Sequence, residues 1–414
     1  MSSFSHSPSE SPHPPEMEKS FSEVVLDSSS RTRDALPEQY RAYFDELRQS
    51  ILAFCDEFGI PKEALRNKET FGVELASKKI PQERMQEAVS LFARLEYLVT
   101  NKEPLKEKEE PLEYAERLYH LREQYGSQIE LLEQVGILKD GVIKGIDGED
   151  YPVPTLEQIA QRLYERRELL ETKQDQGFTK LLLVPFGMSL DALRETLKQF
   201  LLVYKQTHPD FNIDTSRPVY ALEEYKGADT GNPPKFIYNP KSFHTSRHRG
   251  KTKAHILKEQ ADNSDFFSGW TVHFFQPSDP TNQESKGFAP IPKEGQGQIY
   301  GVKIPRHDLE ANKTPKAYLS ILQKAQDNPA FPYCGESGMA PEDWILAFIT
   351  HLAETGEPLD VHGIDVAFLI RGFFVSSLEV PRTCFNRGAR GVFLDKFDSN
   401  AWGGGHGVRT SVII

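Results

Sequence analysis

The chain has 414 residues with 61 acidic against 49 basic side chains, a formal charge of −12, and 38% hydrophobic and 27% charged residues. That make-up excludes a wholly disordered chain, leaves room for two or three domains, and gives no global attraction to nucleic acid or anionic lipid. No apolar run approaches the roughly 18 residues of a membrane span, and three widely spaced cysteines, Cys55, Cys334 and Cys384, do not make a disulfide scaffold.

The opening MSSFSHSPSESPHPPEMEKS has neither the basic start nor the apolar stretch of a secretory signal, so a cytoplasmic protein is expected. Residues 1–35, rich in Ser and Pro, read as a disordered leader. From Pro37, Tyr40, Tyr43, Phe44, Leu47, Ile51, Leu52 and Phe54 recur at three- and four-residue steps, which predicts an amphipathic helix stopped by Gly59. Met85, Ala88, Val89, Leu91, Phe92, Leu95, Tyr97 and Leu98 predict a second helix over 81–99. The charged stretch Leu105 to Pro111 reads as a solvated linker.

A further helical pattern starts at Leu112 and continues through Leu132 to Gly136. Turns follow at Asp140 to Gly148, and Thr155 is placed to cap a helix carrying Ile159, Leu163 and Leu170. Leu181 to Val184 reads as a short buried strand, and Ser189 opens a helix through Tyr204. A junction is expected near Pro209 to Arg217. The fold class is α+β: a mainly helical region over 36–210, then a mixed domain over 211–414. Strands are expected at Val219 to Leu222, Trp270 to Phe275, Ile299 to Ile304, Val366 to Val375, Val392 to Phe397 and Val408 to Ile414. Between them, Pro341, the first-turn acids Glu342 and Asp343, and Gly356 bound one helix whose core stripe is Trp344, Ile345, Phe348, Ile349 and Leu352.

No enzyme motif is complete. Gly250, Lys251 and Thr252 look like the end of a phosphate loop, but Thr245 stands where that loop needs Gly. Gly295, Gly297 and Gly301 are spaced one residue too far for a dinucleotide loop, and Gly335 to Gly338 lacks the GxSxG spacing. His244 and His248 sit four apart among Arg and Lys, which disfavours a divalent metal; a small anion-binding patch or a solvated loop are the readings left. Cys384, with Arg387 and His406 nearby in sequence, is a candidate nucleophile or a buried thiol. No cofactor and no metal is expected.

The last segment differs in composition. From Val380 onward there is no Glu, Gln or Met, and Arg382, Arg387, Arg390, Lys396 and Arg409 face only Asp395 and Asp398. Aromatic, Arg, Ser and Asn side chains on turns suit a recognition surface; the alternative is a solvated run of turns that closes the last sheet.

The runs GMAPEDWILAFITHLAE, GFFVSSLEVPRTCFNRG and GHGVRTSVII resemble the C-terminal half of the variable proteins of diversity-generating retroelements, found in bacteria and phage. LLLVPFGMSLDAL, EEYKGADT and SGWTVHFFQ resemble companion segments of a cytoplasmic branch of that family. The resemblance implies a C-type-lectin fold, akin to formylglycine-generating enzymes, with a hypervariable ligand-binding segment over 380–408.

In that family, mutagenesis at adenines, mostly in AAC-type codons, yields no Glu, Gln, Lys, Met or Trp. Lys396 and Trp402 would then be fixed. Candidates for exchange are Arg382, Thr383, Cys384, Phe385, Arg387, Phe393, Asp395, Phe397, Asp398, Ser399, Asn400 and His406, and together with Trp402 they form the expected ligand-binding set. Val408, Val412 and Ile413 would be frame. The expected partner is a protein or a small molecule, not nucleic acid or membrane. Two alternatives stand beside it: a small-molecule enzyme of formylglycine-generating-like fold using Cys384 and His406, and a non-catalytic helical scaffold.

Overall fold

A computed structural model describes residues 31–66, 68–78, 80–104, 110–295 and 306–414. Residues 105–109 of the expected linker, the expected strand at 299–304, and Gly297 and Gly301 lie outside the described residues, as do residues 1–30 of the expected leader; Pro111, the expected end of the linker, opens a helix. The chain divides into two compact units, 1–109 and 110–414.

The first unit is helical: α1 (Arg31–Asp34), α2 (Arg41–Glu57), α3 (Lys68–Ser77) and α4 (Gln82–Asn101). The apolar stripe of α2, Phe44, Leu47, Ile51 and Phe54, closes a core with Ala88, Phe92, Leu95 and Leu98 of α4. Within residues 31–35 of the expected leader, Arg33 in α1 pairs with Asp45 of α2 at 2.9 Å.

The second unit is mixed α+β. It opens with α5 (Pro111–Tyr119), α6 (Leu121–Gln134), the hairpin β1 (Val142–Lys144) and β2 (Asp150–Pro152), α7 (Leu156–Glu165) and α8 (Arg167–Asp175). Thr155 caps α7 as its sequence suggests: its hydroxyl accepts from the Gln158 amide at 3.2 Å, and the Gln158 side chain returns the bond at 2.9 Å. Next come β3 (Lys180–Val184), α9 (Leu190–Thr207), β4 (Val219–Ala221), β5 (Phe236–Tyr238), α10 (Lys253–Asp262) and β6 (Thr271–Phe275). The remainder is α11 (Pro315–Ala325), β7 (Glu336–Ser337), α12 (Pro341–Thr355), β8 (Val366–Phe368), β9 (Gly372–Phe374), β10 (Glu379–Asn386), β11 (Gly391–Asp398), β12 (His406–Gly407) and β13 (Ser411–Ile413).

Besides the β1-β2 hairpin, the described residues form two larger sheets. The smaller runs β3-β6-β13-β7, all antiparallel; the larger runs β12-β8-β10-β11-β4, with β9 joining β10 and β5 joining β9. Every residue of β3 pairs with β6, some 90 positions on, so a segment expected with the helical region is built into a sheet with the later strands. The division between compact units falls at 109/110 and not near 209–217. Helix α12 is buried along nearly its whole length, and Trp344, Ile345, Phe348, Ile349 and Leu352 sit in the main core. The single strand expected over 366–375 is two: β8 pairs with β10 and β12, while β9 pairs with β5 and the start of β10.

Candidate ligand-binding surface

Strands β10 and β11 form an eight-pair antiparallel hairpin in which Val380 opposes Phe397, Arg382 opposes Asp395, Thr383 opposes Leu394, Cys384 opposes Phe393 and Phe385 opposes Val392. Successive side chains in a strand point to opposite faces, so this register sorts the segment into two sets. Thr383, Phe385, Val392 and Leu394 face inward and are buried. The Phe385 ring lies 6.4 Å from Phe348 of α12 and 5.7 Å from Phe211.

The opposite face carries Arg382, Cys384, Phe393, Asp395 and Phe397. Neighbouring strands extend it. Tyr220 of β4 opposes Phe393 and stacks on it at 4.9 Å, and Arg217 lies 4.4 Å over the Tyr220 ring. Phe368 of β8 opposes Arg382, and His406 of β12 opposes Val366. Val380 and Phe368 are covered by a cluster that includes Tyr318 and Leu322 of α11. The face reaches solvent at Tyr220, Arg382, Phe393, Asp395 and Phe397, all partly exposed.

Its polar centre is Arg382. Nε and Nη2 donate to Asp395 Oδ2 at 3.1 and 2.6 Å, the guanidinium lies 4.9 Å over the Phe397 ring, and Nη1 donates to His406 Nε2 at 3.2 Å. His406 Nδ1 is 3.1 Å from the Gly404 carbonyl. A guanidinium only donates and a carbonyl only accepts, so the imidazole between them is neutral with its proton on Nδ1. Burial first, and the charge of Arg382 with it, lowers the His406 pKa from its ordinary 6.5, against the pull of the Gly404 carbonyl. Gly403 fits here because a Cβ would stand 2.5 Å from this ring, and Gly405, at φ +74°, would place one 2.8 Å from the Ile364 carbonyl.

The remaining expected residues divide similarly. Arg387, Asp398, Asn400 and Trp402 are exposed, Trp402 at 66%. The Asn400 amide donates to Asp398 at 2.8 Å, which folds that corner. Thr383, Phe385 and Ser399 are each at most 3% exposed, so the structure corrects their expected place at the surface. For Thr383 and Phe385 the reason is strand parity. Ser399 is enclosed where its carbonyl accepts from Lys316 and its amide donates to Leu378. Lys396 is held by Glu379 at 2.7 Å and Glu224 at 2.9 Å, and these bonds raise its pKa. Tyr220, Arg217 and Phe368 were not singled out from sequence; their place depends on pairing with distant strands, and the only signal was the aromatic content of the expected strands.

Cys384 shares the outward parity but is buried, and burial, then Asp360, pushes its thiol up to about 12. A nucleophilic thiolate needs the reverse. His244 and His248 accept backbone amides from Ser246 and Gly250 through their Nδ1 atoms, at 3.2 and 3.0 Å, and so act as local turn caps. His273 lies 2.9 Å from the Ser411 hydroxyl and 3.2 Å from Asp343, an Asp-His-Ser order, although the Asp343 contact lacks hydrogen-bond alignment. All three are wholly buried, which leaves a substrate no route to Ser411. Among the described residues, no three His, Cys, Asp or Glu side chains gather as a metal site would need, and no helix is long and apolar enough to cross a membrane.

Comparison with protein-family models, curated proteins and solved structures finds no match to the chain.

Proposed function

We propose that this protein binds a ligand through the outward face of β10 and β11, on a C-type-lectin-like frame whose segment 380–408 is diversified by a retroelement. The observation that supports this reading is the division of that segment by register. Arg382, Phe393, Asp395 and Phe397 stand on one face and reach solvent, while Thr383, Phe385, Val392 and Leu394 pack into the core from the other. A surface of this kind tolerates exchange because its outward side chains contribute little to the core. The aromatic rings supply contact area, and Arg382 and Arg387 supply charge-assisted hydrogen bonds.

The face also narrows the set of exchangeable positions. Arg382, Arg387, Phe393, Asp395, Phe397, Asp398 and Asn400 remain in it, whereas Thr383, Phe385 and Ser399, and with them the buried Cys384 and His406, belong with the fixed frame. Lys396, tied to two carboxylates, and Trp402 also stay fixed. No observation favours the enzyme alternative, since the Cys384 thiol is shifted away from reactivity.

Sequencing the DNA beside the gene tests the proposal. A near-repeat of about the last 100 coding bases, next to a reverse-transcriptase gene and differing at adenines, is the expected result; conversion of sequence differences into physical positions then asks whether they fall on the outward face. Sibling genes that differ evenly along their length would refute diversification.

A further inference from the structure

Between α8, α11 and the segment around β7 runs an open cleft of about 540 Å³, within the roughly 300–1,000 Å³ typical of small-molecule sites. Leu169, Leu319, Leu322, Ile370 and the half-exposed Phe266 give it apolar walls. Three cations share the lining: Arg166, Arg371 and, on an exposed loop at its edge, Lys241.

The arginines are fixed in place but not used up. Arg371 is more than nine-tenths buried; its Nε donates to Asn239 at 3.1 Å and its Nη1 to Asp343 at 2.9 Å, and Nη2 bonds nothing among the described residues. Arg166 donates through Nη1 to the Ile413 carbonyl, which leaves Nη2 free in the same way. Two carboxylates line the cleft. Glu336 is already engaged by Lys173, Arg306 and Thr410, and Asp327 is exposed. Guanidinium N–H groups held in position beside apolar walls are suited to a planar anionic group attached to an apolar body.

We infer that this cleft binds a small amphipathic anion, with a carboxylate or phosphate head on Arg166, Arg371 and Lys241 and an apolar tail along Leu169, Leu319 and Leu322. Its lining includes none of the side chains proposed as exchangeable on the sheet face.

The test uses the full chain and the fluorescent aryl sulfonate 8-anilinonaphthalene-1-sulfonate, with decanoate, decyl phosphate and decanol as competitors. Saturable binding at one site is expected. Either anionic competitor should displace the probe at least about tenfold better than decanol, the difference a charged hydrogen-bonding head supplies, and the better of the two identifies the head group. Lys241→Glu, an exposed change that leaves the core untouched, should weaken the probe and the anions several-fold without altering decanol. Leu319→Trp, which fills the cleft, should abolish binding, and Val203→Ser, at an exposed apolar position elsewhere, should not change it. Displacement by decanol as good as by decanoate, or unchanged probe binding in both Lys241→Glu and Leu319→Trp, would overturn the inference.

Discussion

His406 works as an acceptor for Arg382 only while it is neutral. Protonation would put a second positive charge 3.2 Å from the guanidinium and remove the acceptor lone pair. Because its pKa is lowered by folding, the unfolded chain takes up the proton first as pH falls. The contribution of His406 is therefore complete above about 6.5, the unfolded value, and is lost as pH drops from there toward the lowered folded value. His351, whose pKa burial lowers to about 4, acts with the same sign. The informative comparison is thus with His406→Asn, whose carbonyl can still accept from Arg382. Unfolding measured by denaturant from pH 7 to pH 4.5 should show a shallower loss in the variant; equal slopes would remove His406 from the account. At this scale the sequence was informative about residue type but not direction. The cationic, aromatic character of 380–408 was legible, whereas the opposite fates of Arg382 and Thr383, adjacent in the chain, depend on a register that composition does not contain.

Elements were legible where periodicity is strong. The stripe of α2, the capping box of α7 and the acidic first turn of α12 each identify a helix from local residues alone. Strand β10 was not among the expected strands, because Pro381, Arg382 and Asn386 dilute its β-forming residues and one of its two edges meets only β8 and β9, strands of three residues each. The turn that joins β10 to β11 supplies a test. Arg390 sits at φ +54°, and its carbonyl accepts from the Asp214 amide at 2.7 Å, so the left-handed backbone there is anchored. A β-branched residue fits that conformation poorly. Arg390→Val should lower stability by about 1–2 kcal/mol, and Arg390→Gly should change it by less than about 1 kcal/mol, since relief of strain is offset by unfolded-chain entropy. Thermal unfolding of the two variants checks the order; equal effects would contradict the turn's role in holding the register.

Across the second unit, charge is gathered inside as well as outside. Lys253, wholly buried on α10, meets Asp229 at 2.6 Å and Glu342 at 2.7 Å, and Tyr238 donates to Glu342 at 2.6 Å. Burial opposes the ammonium's charge, yet Glu342 and Asp229 outweigh it and raise its pKa. This cluster ties α12 to α10, β5 and the loop after β4, which together support the large sheet. Lys253→Met leaves two carboxylates buried without their cation and should cost about 3–5 kcal/mol in urea unfolding at pH 7; a loss below about 1 kcal/mol would show that the cluster is not a structural centre. None of this was visible in the sequence, where Lys253 follows a failed phosphate-loop match and its partners lie 24 and 89 positions away.

The account depends most on the outward side chains of β10 and β11 being exchangeable on a frame that does not need them. Two multiple variants measure that directly by thermal unfolding of the full chain: one replaces Arg382, Phe393, Asp395 and Phe397 with Ser, Tyr, Asn and Tyr, the other replaces Thr383, Phe385 and Leu394 with Asn, Ser and Ser. The outward set is expected to keep its cooperative transition within about 5 °C of the parent, a change of roughly 3 kcal/mol for a unit of this size, while the inward set loses it through cavities and unpaired polar groups in the core. An outward set that unfolds as completely as the inward one would contradict it.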